Sequence, residues 1–203
     1  MSPKARARDP RLTAVPSDVR TARLRLRKPA SSMARALADA RGEGYSSLYP
    51  WFHAEMGSKT QEAEAGRQEA RLARQIRDFE ARKSLSYYVL EGDTLIGMVG
   101  LLPIWRRGQF KLTYWIRPTA QRKGYGLEAA GAIVVLSFQA LDARLVTTGH
   151  AEPNIGSARL AQASAFGASE GSGFTDRACC RITEVTLSEL GRCLHAPPRL
   201  SAA

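Results

Sequence analysis

Three cysteines in 203 residues are too few, and too oddly placed, to brace a secreted scaffold. Cys179 and Cys180 are adjacent and Cys193 stands apart, which gives no even set of bridges and no paired C-x-x-C spacing for zinc. Cys193-Leu-His195 lacks the two further ligands a metal would need, so no metal is expected. Long apolar runs are missing as well. None approaches the roughly 18 residues of a membrane span, and no apolar segment follows the basic N-terminus as it would in a secretory signal. A cytoplasmic protein with no membrane partner is expected. No G-x-x-x-x-G-K-[ST] run occurs, which excludes a P-loop. Acid is scarce beside base, 19 Asp and Glu against 30 Lys and Arg, for a net charge of +11 and a pI near 10.1.

The length suits one domain with a full core. The charge is unevenly spread. Residues 1–28 carry nine bases against Asp9 and Asp18, which is +7 of the +11. A basic arm on a nearly balanced domain therefore fits better than a domain with a nucleic-acid-binding face. Drift toward arginine, which outnumbers lysine 24 to 6, explains the same excess without any partner.

The most informative stretch is Gln121-Arg122-Lys123-Gly124-Tyr125-Gly126. Residues 110–116 before it have the aromatic and β-branched content of a strand. Residues 127–141 after it repeat Leu127, Ala130, Val134, Phe138 and Leu141 at helical spacing, with one face packed and the other free. Two glycines at a helix N-terminus let a ligand approach backbone N–H groups that have no helical acceptor, and the dipole, Arg122 and Lys123 favour an anion. A phosphate or pyrophosphate suits such a turn. Residues 124–129 also spell G-x-G-x-x-A. A dinucleotide fingerprint should open a βαβ unit with an acid about 20 residues on, however, and Asp142 and Glu152 are poorly spaced for that.

Taken in order, residues 1–20 are expected to form a disordered basic arm and residues 195–203 a flexible tail, with one domain over 21–194. Residues 21–27 alternate as a strand. Ser31 and Ser32 can cap a helix that stops at Gly42, and a loop rich in aromatics follows over residues 45–52. Trp51, Phe52 and neighbouring His53 suit a substrate wall, although Trp51 and Phe52 would equally plug a core. Ser58 to Gln61 has capping-box spacing, opening one long helix to Arg82. Strands over 85–90 and 94–104 turn at Glu91-Gly92-Asp93, and the chain turns again at 105–108 into the strand ending at Trp115-Ile116. A strand over 143–149, a helix from Asn154 to about Phe166 and a last strand beyond Gly173 complete the order.

Residues 121–126 resemble the [QR]-x-x-G-x-[GA] pyrophosphate loop of the GNAT acyl-CoA N-acetyltransferases, and the element order resembles that fold over most of residues 21–190. Residues 21–27, Leu48-Tyr-Pro-Trp51, Tyr114-Trp-Ile116 and Pro153-Asn-Ile-Gly-Ser157 look like the RimJ/RimL type, the ribosomal-protein N-terminal acetyltransferases. The resemblance implies a mixed α+β fold: a mostly antiparallel twisted sheet, splayed where acetyl-CoA binds, with helices on both faces. It implies acetyl-CoA as cosubstrate, held by Gln121, Arg122, Lys123, Gly124, Tyr125 and Gly126, by the strand end at Trp115 and Ile116, and by Asn154 and Ser157. Ser157 corresponds to the family serine that faces the sulfur, and Asn154 to the residue bracing pantetheine; helix capping is the plain alternative for both. The family's usual carboxylate before the Tyr-Trp pair is absent, the chain reading Lys111-Leu112-Thr113 there. His150 and Glu152 stand in as proton acceptors.

The acceptor implied is a peptide or ribosomal-protein N-terminal amine, with a small amine such as an antibiotic or polyamine as the alternative. A non-catalytic acyl-CoA-binding module is the reading of another class. A monomer or homodimer is expected, with the basic arm available to the ribosome.

Overall fold

The computed structural model describes residues 9–12, 14–163 and 180–186. Its frame is one seven-stranded sheet whose spatial order is the chain order: β1 (Asp18–Arg20), β2 (Arg25–Arg27), β3 (Leu85–Glu91), β4 (Thr94–Ile104), β5 (Gln109–Ile116), β6 (Leu145–Ala151) and β7 (Cys180–Thr186). Every neighbouring pair is antiparallel except β5 and β6, which are parallel. A parallel pair needs a crossover, supplied by helix α5 (Tyr125–Ala140). Helices α1 (Ala34–Glu43), α2 (Tyr45–Phe52), α3 (Lys59–Glu62) and α4 (Ala65–Glu80) lie between β2 and β3, and α6 (Ile155–Ala163) follows β6.

Period-two alternation divides the sheet between two cores. Tyr87 and Val89 of β3 and Phe110 and Leu112 of β5 pack with α5, while Tyr88 and Trp115 pack with Met33, Leu37, Leu48 and Leu72 from α1, α2, α4 and the turn before them. Adjacent Tyr87 and Tyr88 thus enter opposite layers. Each burial is matched by a hydrogen bond, Tyr87 Oη to the Pro16 carbonyl at 2.7 Å and Tyr88 Oη to Gln75 Oε1 at 2.6 Å.

The structure departs from the sequence reading at four elements. Residues 21–27 are not one strand: Thr21 and Leu24 close a turn, with Thr21 N on the Leu24 carbonyl at 2.9 Å, between β1 and β2. The ordered fold therefore begins before Thr21, since Val19 is 1% exposed and belongs to the α5 core. Residues 45–52 are helix α2, not a loop. Leu48 is buried in the second core, and that packing outweighs the bond lost at Pro50.

The single long helix over 58–82 is two, α3 and α4, broken at Ala63 and Glu64. The break lets the Glu62 carboxylate turn inward, where it accepts from Gly57 N at 3.0 Å, Arg67 Nε at 2.9 Å and Arg71 Nη2 at 3.2 Å, and pairs with Arg41. Burial alone would raise its pKa; the Gly57 N–H, Arg41 and Arg71 bring it down to about 2. Helix α5 is covered around most of its circumference rather than along one stripe, and Leu127, expected to pack, is 38% exposed. The expected helix to Phe166 is described as far as Ala163, and the tail lies outside the described residues.

Candidate active site

Strands β5 and β6 pair only where Gln109–Leu112 lie beside Leu145–Thr148. Beyond that, β5 runs on to Ile116 along β4 while β6 runs on to Ala151 along β7, so the two diverge and their facing edges leave the ladder. The gap opens a cleft of about 1170 Å³. Phe110, Leu112 and Tyr114 share a face of β5 with the α5 core, whereas Trp115 faces the α1/α2 core. Trp51 and Phe52 line the cleft from α2, and Asn154 and Ser157 line it from α6. The cleft therefore passes through the sheet from one helical layer to the other, as two reactants meeting from opposite sides require.

At its mouth, residues 118–120 form a 3-10 turn, Arg122 takes φ +64° and Gly124 takes φ +80° as N-cap of α5. The first helical bond is Glu128 N to the Gly124 carbonyl at 3.1 Å, leaving the N–H groups before it for a ligand. Three side chains fix this turn. Gln121 Nε2 donates to the Ile116 carbonyl at 2.8 Å, joining the loop to the end of β5. Glu43 accepts from Thr119 N at 3.1 Å and Oγ1 at 2.9 Å and pairs with Arg117, whose guanidinium holds the carboxyl below its ordinary range. Glu128 accepts from Thr21 Oγ1 and from Arg23 N at 2.9 Å and Nε at 2.7 Å. Burial opposes ionisation of Glu128, and these donors outweigh it and lower its pKa.

The family model described as the acetyltransferase (GNAT) domain matches residues 23–167. The chain belongs to the GNAT acetyltransferases. Comparison with curated proteins returns no match. Among solved structures, this GNAT chain resembles Mycobacterium smegmatis RimJ in complex with CoA-disulfide, at 14% identity and a TM-score of 0.74 over 89% of this chain and 90% of that one. It also resembles a ribosomal-protein alanine acetyltransferase from Vibrio fischeri, at 16% identity and a TM-score of 0.69 over 83% and 96%. A microcin self-immunity acetyltransferase in complex with acetyl-CoA and AMP is similar at 14% identity and a TM-score of 0.67 over 82% and 93%. At these identities the likeness is one of fold.

Within the GNAT cleft the sequence candidates separate. Gln121, Arg122, Gly124, Tyr125, Gly126, Trp115 and Ile116 line it together, as do Asn154, Ser157 and His150. Lys123 does not: its carbonyl is held by Arg23 Nη1 at 2.9 Å and its ammonium lies 5.9 Å from the Tyr125 ring. Trp115 is 5% exposed and anchors the second core, so it offers the cleft little beyond its backbone. Asn154 caps α6, its Oδ1 accepting from Ser157 N at 3.0 Å. His150 shares the α5/α6 face with Val146 and Thr148, with Nδ1 3.2 Å from the Ala151 carbonyl. Glu152 is exposed on the turn after β6, outside the cleft lining. His53 is also outside; it continues the row Tyr45, Tyr49, His53 at four-residue spacing, on the other side of α2 from Trp51.

Sequence reasoning missed Glu55, the one carboxylate among the lining residues, whose carbonyl is held by Arg71 Nη2 at 3.2 Å. It missed Arg23 too. The repeated Tyr45/Tyr49/His53 spacing was the signal for α2, and Glu55 stands in the 3-10 turn that follows it, lining the same cleft as Trp51.

Proposed function

We propose that the protein transfers an acetyl group from acetyl-CoA to a primary amine, with a peptide or protein N-terminus as the acceptor. The observation that carries this reading is the β5/β6 splay with the Gly124 turn at its mouth, a cleft between diverging strands beside N–H groups that have no helical acceptor. The CoA-bound relatives support the donor, and the RimJ-like relatives support the acceptor class. The pyrophosphate would sit on the N–H groups of Gly124–Leu127 with Arg122, and pantetheine would run along the free edge of β5 beside Asn154.

In the reaction, the amine nitrogen attacks the thioester carbon, the N–C bond forms and the C–S bond breaks. The acceptor ammonium first loses one proton to become the neutral amine that attacks, and the nitrogen loses a second as the amide forms. Of these two, one goes to the base or solvent while the departing thiolate takes one. No acyl-enzyme is needed. Backbone N–H groups at the free edge of β5 offer hydrogen bonds to the developing oxyanion. Ser157, on the first turn of α6, is the proposed proton donor to the thiolate. Glu55 enters from the α2 side, where the acceptor would arrive, and is the proposed proton acceptor directly or through water; His150 serves the same need at the splay itself. Trp51, 37% exposed, offers an aromatic wall to the first side chain of the acceptor.

The microcin-immunity relative favours a second reading, a small-molecule amine acceptor. Of the bases in the arm over residues 1–20, expected to reach the ribosome, Arg20 lies 3.9 Å from Asp18 and Arg11 pairs with Asp9, while Lys4, Arg6 and Arg8 lie outside the described residues. The deciding experiment follows thiol release from acetyl-CoA with peptides of different first residues and with small amines, locating the acetyl group by mass spectrometry. Acetylation of peptide α-amines is expected. Turnover confined to small amines would move the acceptor class, and binding of acetyl-CoA without turnover would leave a non-catalytic module.

A further inference from the structure

Arg23 lies in the turn of the N-terminal hairpin, 100 residues from Lys123 in sequence, yet its one side chain reaches four positions of the expected anion-binding turn and the helix it opens. Its Nη1 donates to the Lys123 carbonyl at 2.9 Å. Its Nη2 lies 3.3 Å from where a Cβ at Gly124 would stand, its guanidinium covers the Tyr125 ring at 4.7 Å, and its Nε and Nη2 reach Glu128 Oε2 at 2.7 Å. Neither Arg23 nor Lys123 lines the cleft, whereas Gly124 does. Because a trans peptide places its C=O and N–H on opposite sides, holding the Lys123 carbonyl toward Arg23 turns the Gly124 N–H away from Arg23, toward the cleft.

The turn needs such a hold. Arg122 and Gly124 both take positive φ, and a non-glycine residue in the left-handed region costs about 1 kcal/mol or more unless its surroundings enforce it. Glu128 on the first turn of α5 also places a negative charge beside the expected anion, which Arg23 offsets by pairing with it. A direct contact with the ligand is disfavoured, since the guanidinium is already engaged by Glu128 and Lys123 on the far side of the loop.

We infer that Arg23 is a positioning residue for the donor: it sets the Lys123–Gly124 peptide so that the turn presents preformed N–H groups to a pyrophosphate. This rests on the donor assignment above. The N-terminal hairpin is then part of the donor site although none of its residues needs to touch the ligand.

The test compares Arg23→Ala, Arg23→Lys and Glu128→Gln with the wild type. The first readout is amide hydrogen exchange of residues 122–128 in the ligand-free protein, the second is calorimetric affinity for CoA, and the third is turnover with acetyl-CoA against S-acetylpantetheine, which lacks the pyrophosphate. Faster exchange confined to the turn is expected in Arg23→Ala, with a KM for acetyl-CoA raised about tenfold and kinetics with S-acetylpantetheine little changed. Arg23→Lys should restore little, because an ammonium cannot span the carbonyl and the carboxylate together. Unchanged exchange at 122–128, or equal losses with both donors, would overturn the positioning role. So would faster exchange spread through β1, β2 and β3, which would make Arg23 a general prop of the hairpin. Failure of the wild type to bind CoA would instead remove the donor assignment, while exchange of the turn would still decide whether Arg23 shapes it.

Discussion

The Tyr114 hydroxyl donates to the Ser157 carbonyl at 3.3 Å, tying the diverging end of β5 to the first turn of α6 across the cleft. Burial raises the Tyr114 pKa, so the phenol stays protonated and the tie holds at neutral pH. Asn154 supplies the cap of α6, which leaves the Ser157 hydroxyl without that duty. Ser157→Ala should therefore leave the melting temperature nearly unchanged. If Ser157 protonates the thiolate, kcat falls on the order of 10²-fold with acetyl-CoA affinity intact. Steady-state kinetics beside a thermal melt separates the two, and near-normal turnover would assign the proton to water.

Gly124 combines φ +80° with the Arg23 contact, so a larger residue is disfavoured both by conformation and by space. Gly124→Leu should cost about 1–2 kcal/mol of stability and abolish the thermal shift that CoA gives. A shift equal to that of the wild type would detach the pyrophosphate from this turn.

Glu55→Gln should lower kcat/KM for the amine by about tenfold or more while CoA affinity stays the same. The pH profile of kcat/KM distinguishes the proposed proton acceptors. Loss of the alkaline-going rise in His150→Gln but not in Glu55→Gln would give the proton to the imidazole.

Glu62 predicts an acid limit to stability. Its carboxyl titrates at about 2 when folded against an ordinary 4.5, so its contribution is complete above 4.5 and is lost as pH falls toward 2. Glu62→Gln leaves Arg41 and Arg71 without their counter-charge and should cost roughly 3–5 kcal/mol at neutral pH. Melting temperatures measured from pH 2 to 7 should rise less steeply in the variant; parallel curves would contradict the assignment.

Truncation should divide the N-terminus. Removing residues 1–8 is expected to leave the melting temperature nearly unchanged. Removing residues 1–20 strips β1, uncovers the Val19 site and releases Arg25 from Asp18, for a loss of about 1.5–3 kcal/mol from the valine alone. Equal melting temperatures for the two truncations would show that β1 adds nothing to the sheet.

The legible parts of the chain were those with a local signature. The Glu91-Gly92-Asp93 turn between β3 and β4, the aromatic and β-branched run of β5, the glycine turn before α5 and the N-x-x-S start of α6 each carry their structure in a few neighbouring residues. What was misread depended on partners distant in sequence. Nothing near Glu62 announces that Arg41 and Arg71 will bury it, and hence that a helix former at Ala63 sits at a break. Residues 45–52 carry a proline and four aromatics, and the burial of Leu48 keeps them helical despite Pro50. The same holds for the site: the turn could be read from its glycines, while Arg23 and Glu55 enter it only through tertiary geometry.

Because strand order in space is strand order in the chain, each strand meets its partner as soon as synthesis or folding reaches it, and the sheet can grow from one edge without threading. The splay is a late product of such growth. A nascent chain that has reached α5 already has the turn and Arg23 to hold it, but no cleft, because the wall that makes one arrives with β6 and is backed by β7. An incomplete chain is thus expected to offer the turn before it can offer the cleft.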